Sequence, residues 1–391
     1  MASGKQAIYL DYNASAPLLA EARAAMLGAL DADANPSSVH AAGRAAKALL
    51  QKARRQVAAL VNASPDHVVF TSGASEAAAT LLTPHYSFGR SPLFFSRLYV
   101  SASEHPCVLE GGRFARDNVV RLPVKPSGLL DPDALESALA GHDKAAGLPL
   151  VAVHWANNET GVIQPVEEIA AVVKAQGGVL VVDAVQALGR VPIDIAQGCG
   201  DFLILSSHKI GGPKGAGAFV AQSDLMMPMP LIPGGGQERG HRGGTEAVAN
   251  IAGFGAAAEV AGRNLERFAD CADIRQRFER AILETAPDAI IHGRDAPRLA
   301  NTLFFTIPGL KAETMQIAFD LAGIAVSSGS ACSSGKVGKS HVLAAMGVRS
   351  EEGAIRVSFG LETGEDAVAR FRDELARIVA RARPEKRLEG A

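Results

Sequence analysis

Between about residues 66 and 222 the chain alternates short apolar runs with longer stretches of helical periodicity. Val68-Val69-Phe70, Leu98-Tyr99-Val100, Leu150 to Val153, Val179 to Val182, Phe202 to Leu205 and Gly217 to Val220 are the apolar runs. They are too short for helices and lack polar alternation, so they predict strands buried on both faces. Asp131-Pro132 opens one of the intervening helices: the aspartate can cap it, and proline at the first helical position gives up no useful N–H. Strand and helix in alternation predict a mostly parallel sheet covered on both faces. Ligands of such sheets sit beyond the carboxyl ends of the strands. Five of those ends carry polar residues: Thr71 to Ser75, Ser103-Glu104-His105, His154 to Asn158, Asp183 to Gln186 and Ser206 to Lys209. A glycine-rich stretch, Pro233 to Thr245, closes this region as a long loop. A helical pattern from about 256 to 285 leads to a smaller α+β unit. Its strand-like runs are Thr302 to Ile307 and Ile355 to Phe359, and its final helix follows Glu365. No internal repeat is present.

The 391 residues suggest two domains, and 48% apolar with 20% charged residues is ordinary for a globular protein with a large core. A net charge of −2 offers no basic footprint for nucleic acid or an anionic membrane. The polar first residues predict no signal peptide, and no apolar stretch predicts a membrane span. Cys107, Cys199, Cys271 and Cys332 form no C-x-x-C pair, which argues against a disulfide framework and for a reducing, cytoplasmic compartment. Most of the four read as inert buried thiols.

Asp183 and Lys209 each follow a buried strand and can face one cleft. A lysine to hold an aldehyde and an acid to keep a pyridine nitrogen protonated are what pyridoxal phosphate requires. Singly, Asp183 also reads as a helix cap and Lys209 as a surface lysine. Gly73-Ala74-Ser75, between strand and helix, suits a phosphate, as do Ser206 and His208; alone it is also an ordinary helix start. Ser334 to Ser340 looks like the end of a nucleotide-binding loop, but Ser333 stands where that motif needs glycine. Cys332 lies in Ser327 to Gly338, a run of small polar residues near Lys336 and Lys339. That setting predicts a mobile, exposed and nucleophilic thiol rather than a core cysteine, although a chance surface cysteine would look the same.

The series Tyr9 to Asn13, Asn35 to His40, Thr71 to Glu76, Glu104-His105, Asn157 to Gly161, Asp183 to Gln186, Ser206 to Lys209, Arg239 to Thr245 and Ser327 to Cys332 resembles the class V aminotransferases. Within them it is similar to the NifS/IscS-type cysteine desulfurases, in order from about residue 8 to 383. The resemblance implies fold type I of the pyridoxal-phosphate-dependent enzymes. That is an α/β fold with a large domain at 15–259 built on a mostly parallel seven-stranded sheet. A smaller α+β domain, from 1–14 and 260–391, would carry the cysteine loop. Lys209 would bind the cofactor aldehyde, Asp183 would pair with the ring nitrogen, and His105 would stack on the ring and move protons. Asn158 and Gln186 would hold ring substituents; Ala74, Ser75, Ser206 and His208 would hold the phosphate. Thr245 would reach the neighbouring subunit's phosphate, implying a homodimer with shared sites. Arg356, with Asn158, would clamp the carboxylate of L-cysteine. Cys332 would accept the sulfur as a persulfide, leaving L-alanine, and pass it to an acceptor protein for iron–sulfur cluster assembly or thiolation. No resident metal is expected, although Cys332 could transiently ligate a cluster. Ser207 stands where the family usually has glycine, and Ser75 where it often has threonine.

Two other readings compete. An aminotransferase or selenocysteine lyase on the same fold is the nearer, but a transaminase has no use for a thiol in a mobile loop. A sulfur-carrying scaffold without cofactor chemistry would not need Asp183, His105, Gln186 and Lys209 together.

Overall fold

A computed structural model describes residues 7–329, 340–349 and 351–383. Its strands in chain order are β1 (Ile8–Tyr9), β2 (Val68–Thr71), β3 (His85–Phe88), β4 (Ser91–Ser101), β5 (Val119–Leu122), β6 (Leu148–His154), β7 (Val179–Asp183) and β8 (Phe202–Ser206). They continue with β9 (Gly217–Ala221), β10 (Met226–Pro228), β11 (Ile290–Ile291), β12 (Thr302–Thr306), β13 (Ile324–Ala325), β14 (Ser327–Ser328) and β15 (Ile355–Ser358).

The large sheet runs β10-β3-β4-β6-β7-β8-β9-β2, with β5 also on β4. Strands β5, β4, β6, β7 and β8 pair in parallel, while β9 runs antiparallel to both β8 and β2. The sheet therefore has nine strands rather than the seven expected. The two extra ones, β3 and β10, are short and antiparallel, and β3 pairs only with the outer half of β4. His85-Tyr86-Ser87-Phe88 is part exposed, so it lacks the continuous apolar signature of the central strands.

Alternate residues of the central strands feed two separate cores, as a period of two requires. Val151, Val153, Leu180, Val182, Leu203 and Leu205 pack under the helices Ala41–Leu60, Val166–Ala175 and Val248–Arg263. Leu150, Ala152, Val179, Val181, Phe202 and Ile204 pack on the other face, under the helix Ala74–Leu81. His154, Asp183 and Ser206 continue this second set of alternate positions and so emerge at its carboxyl edge. Gly217 lets β9 touch the start of that helix, because a Cβ there would lie 2.6 Å from the backbone of Gly73.

A four-stranded antiparallel sheet, β11-β12-β15-β14, has its own core beneath the helices Cys271–Thr285, Ala312–Leu321 and Glu365–Ala382. Phe319 and Phe371 stack there with centroids 4.9 Å apart. Among the described residues no helix is long and apolar enough to cross a membrane.

Candidate active site

The five polar strand ends meet in one cavity of about 460 Å³. Ala74, Ser75, His105, Asn158, Asp183, Gln186, Ser206, His208 and Lys209 all line it. Arg356 and Thr245 do not. Arg356 is buried behind the wall, donating to the Asn158 carbonyl at 3.0 Å and pairing with Asp11 at 2.8 Å. Thr245 lines an adjoining recess with Phe70, Ser72, Glu238 and Arg242. Cys332 lies outside the described residues.

Asp183 ends β7 with Oδ1 accepting the Val185 N–H at 3.0 Å. Burial, and then the negative charge of Glu104, push its carboxyl up to about 6. A buried carboxylate that faces a cavity is stabilised by a cation placed there, and a protonated ring nitrogen is such a cation. Lys209 donates to the carbonyls of Asn13 at 2.6 Å and Ala14 at 3.0 Å. His105 caps the short helix Pro106–Leu109, its Nδ1 accepting the Cys107 N–H at 3.2 Å. The proton of its neutral ring therefore lies on Nε2. Burial, with help from Lys209 and His341, pushes this ring down to about 4. His208, likewise lowered to about 4 by burial and by Lys209 and Lys214, hydrogen-bonds the Ser15 hydroxyl through Nδ1 at 3.3 Å.

At the other end, Gly73 caps the helix Ala74–Leu81 without a side-chain acceptor, leaving the first N–H groups of that helix to a ligand. An anion pocket, a lysine and a buried carboxylate in one cleft fit pyridoxal phosphate, whose phosphate, aldehyde and ring nitrogen need those three partners.

Ser207, where the family usually has glycine, is fully buried, and its hydroxyl has no hydrogen-bond partner among the described residues. It is accommodated because position 212 is glycine: a Cβ there would lie 2.2 Å from the Ser207 oxygen.

Four residues take on roles that the sequence reading did not assign. Asn13 is a hub: its carbonyl accepts from Lys209 and Gln186, its Oδ1 from Arg190, and its amide donates to Asn158 and Thr302. Cys107, expected to be inert core, lines the cavity with Sγ 3.0 Å from His105 Nδ1, and burial pushes its thiol up to about 12. His154 lines the same cavity in contact with buried Glu104. Ser340 donates to buried Glu159 at 2.5 Å, whose carboxyl burial lifts to about 7. Only the contacts reveal these roles; Asn13 reaches the site from distant chain, whereas Cys107 and His154 follow or end strands at the cavity itself.

Comparison with known proteins agrees with this geometry. The Aminotransferase class-V family model matches residues 8–371. A cysteine desulfurase of Sinorhizobium fredii is 38% identical, over 96% of this chain and 98% of its own length. The cysteine desulfurase IscS of Dictyoglomus turgidum is 35% identical, over 97% and 96%. The solved structure of a NifS-like protein from Rickettsia africae superposes with a TM-score of 0.85 at 32% identity, covering 95% of this chain and 99% of that one. A buried acid, a lysine and a phosphate-ready helix start, on a chain related to these proteins over nearly its whole length, have one meaning: the protein belongs to the class-V aminotransferases and is a NifS/IscS-type, pyridoxal-phosphate-dependent cysteine desulfurase.

Proposed function

We propose that the protein transfers the sulfur of L-cysteine to Cys332, releasing L-alanine and leaving a Cys332 persulfide for an acceptor protein. The atoms balance: the substrate's carbon–sulfur bond breaks and a sulfur–sulfur bond forms on Cys332. Of the two thiol protons, one stays on the persulfide and the other ends on the methyl carbon of alanine. The observation that supports the reading best is the convergence of Lys209, Asp183 and His105, from three strand ends, on one cavity beside a helix start.

Bound there, the cofactor would supply an electron sink for negative charge at the substrate's α-carbon. Lys209 would hold its aldehyde, Asp183 its ring nitrogen, and Asn158 and Gln186 its ring substituents. Ala74, Ser75, Ser206 and neutral His208 would hold the phosphate. Lys209, once displaced by substrate, would take the α-proton and return it. His105, neutral with its proton on Nε2, suits donation toward the departing sulfur. Arg356, one residue behind Asn158, would set the substrate carboxylate. Thr245 in its separate recess is suited to a partner's site, so the working unit would be a homodimer. Residues 15–259 would form the cofactor domain, and 1–14 with 260–391 the smaller one. Iron–sulfur cluster assembly or thiolation in a reducing cytoplasm would use the product.

Mass measurement of the Cys332 peptide after incubation with L-cysteine should show one added sulfur atom. Cys332→Ala should retain the visible absorbance of bound cofactor yet release no sulfide. Full desulfuration by that variant would overturn the assignment.

A further inference from the structure

Glu104 is fully buried, yet only one of its carboxylate oxygens is engaged. Oε1 accepts from both the backbone N–H of His154 at 2.5 Å and its ring Nδ1 at 2.7 Å. Oε2 has no hydrogen-bond partner among the described residues. A buried carboxylate oxygen left unpaired is costly, so it marks a place where the charge is used.

The position of the ring proton follows from Gln164. Its Oε1 accepts the Leu130 N–H at 2.8 Å and its Nε2 donates to the Gly128 carbonyl at 2.8 Å, which fixes the amide orientation. The same Nε2 lies 3.3 Å from His154 Nε2, so it donates and that ring nitrogen accepts. Glu104 and Asp183 raise the affinity of this ring for a second proton against its burial, but the Gln164 amide already donates to Nε2, the place that proton would take. By this geometry His154 carries one proton, on Nδ1 facing Glu104, and the pair keeps a net negative charge.

His154 and Asp183 are register partners on the adjacent parallel strands β6 and β7. Residues paired in this way point to the same face, and both line the cavity. Glu104 opposes the ionisation of Asp183 and Lys209 favours it, as His154 would if its ring took a second proton. Lys209 is directed at the Asn13 and Ala14 carbonyls.

We propose that Glu104 is a positioning residue, the second carboxylate of the ring-nitrogen site: behind Asp183, and linked through neutral His154, its charge holds the proton on the nitrogen of the bound cofactor. The inference rests on Asp183 receiving that nitrogen. One carboxylate would neutralise the cationic ring; two make the pocket favour the protonated ring strongly. The push of Glu104 on Asp183 has the sign this requires. Its electrostatic effect on cofactor affinity should be roughly tenfold.

The test uses holoprotein reconstituted with pyridoxal phosphate carrying ¹⁵N in the ring. Wild type should give the shift of a protonated nitrogen. Glu104→Gln, which keeps an acceptor for His154 but removes the charge, should move the shift toward the unprotonated value and weaken cofactor binding roughly tenfold. Glu104→Asp should stay near wild type. A wild-type shift and affinity in folded Glu104→Gln would overturn the proposal. If that variant fails to fold, Gln164→Met decides, since freeing His154 Nε2 to protonate should cancel the charge and move the shift the same way; no movement would overturn it. An unprotonated nitrogen in wild type would instead refute the role of Asp183.

Discussion

Two buried glutamates, Glu238 and Glu104, are treated in opposite ways. Glu238 has both oxygens occupied: Arg54 pairs with it at 2.6 and 2.8 Å, and the Phe70 N–H adds a bond at 2.8 Å. Arg54 also lies over the Phe70 ring, 4.8 Å from its centroid. The arrangement ties the glycine-rich loop to β2, even though Glu238 and Arg239 adopt left-handed backbone angles of +45° and +56°. Glu104, by contrast, has one oxygen without a partner and sits beside a carboxylate, Asp183, that burial also disfavours. A buried charge with a complete set of partners holds a fold together; one left short of partners behind a cavity wall can act on a ligand only through its field. The contrast separates the structural charges of this protein from those of its active site.

Breaking the complete pair should have the largest effect on stability. Glu238→Ala strands Arg54 in the core and should cost about 3–5 kcal/mol, read by denaturant unfolding. The absorbance of bound cofactor per folded molecule should stay the same. A loss below about 1 kcal/mol would show that Arg54 is hydrated after all.

Asp183→Asn should act in the reverse direction in cofactor-free protein. Asp183 binds its proton more tightly folded, at about 6, than at its ordinary value of 3.8. The folded chain thus holds an extra proton between those values, and stability falls as pH rises through that window. Asparagine removes this loss, so the cofactor-free variant should be more stable than wild type above pH 6, by on the order of 2–3 kcal/mol. The difference should vanish below pH 4. The same substitution should cripple the loaded enzyme, and equal stability of the two proteins at pH 7 would contradict the account.

Ser207→Ala should have the smallest effect. Removing a buried hydroxyl that has no partner should raise stability by about 1 kcal/mol, provided the space against Gly212 closes. A decrease would mean that the hydroxyl is bonded in solution.

Much of this was readable in the chain. The central strands announce themselves because both their faces are buried, and the polar residues at their carboxyl ends follow directly. Strands β3 and β10 do not, because short, part-exposed edge segments carry no continuous apolar signal. Lys209, Asp183 and His105 could be singled out because each sits at a strand end with its chemistry intact. Glu104, His154 and Asn13 lie in the stretches picked from the sequence too, but their roles could not be read, since those rest on contacts: Asn13 meets Asn158, Gln186 and Lys209 from 145 to 196 positions away. The place of Cys107 was unreadable for a similar reason, although burial does hold its thiol inert as expected. Nothing in Pro106-Cys107-Val108 tells that one turn of helix aims the thiol into the cavity beside His105.

Two lysines, Lys209 and Lys214, line the cavity, and the account requires the first to carry the cofactor. Reduction of the holoprotein with borohydride, followed by peptide mapping, tests this most directly. The pyridoxyl group should be found on Lys209 alone. Its appearance on Lys214, or on no lysine at all, would contradict the account.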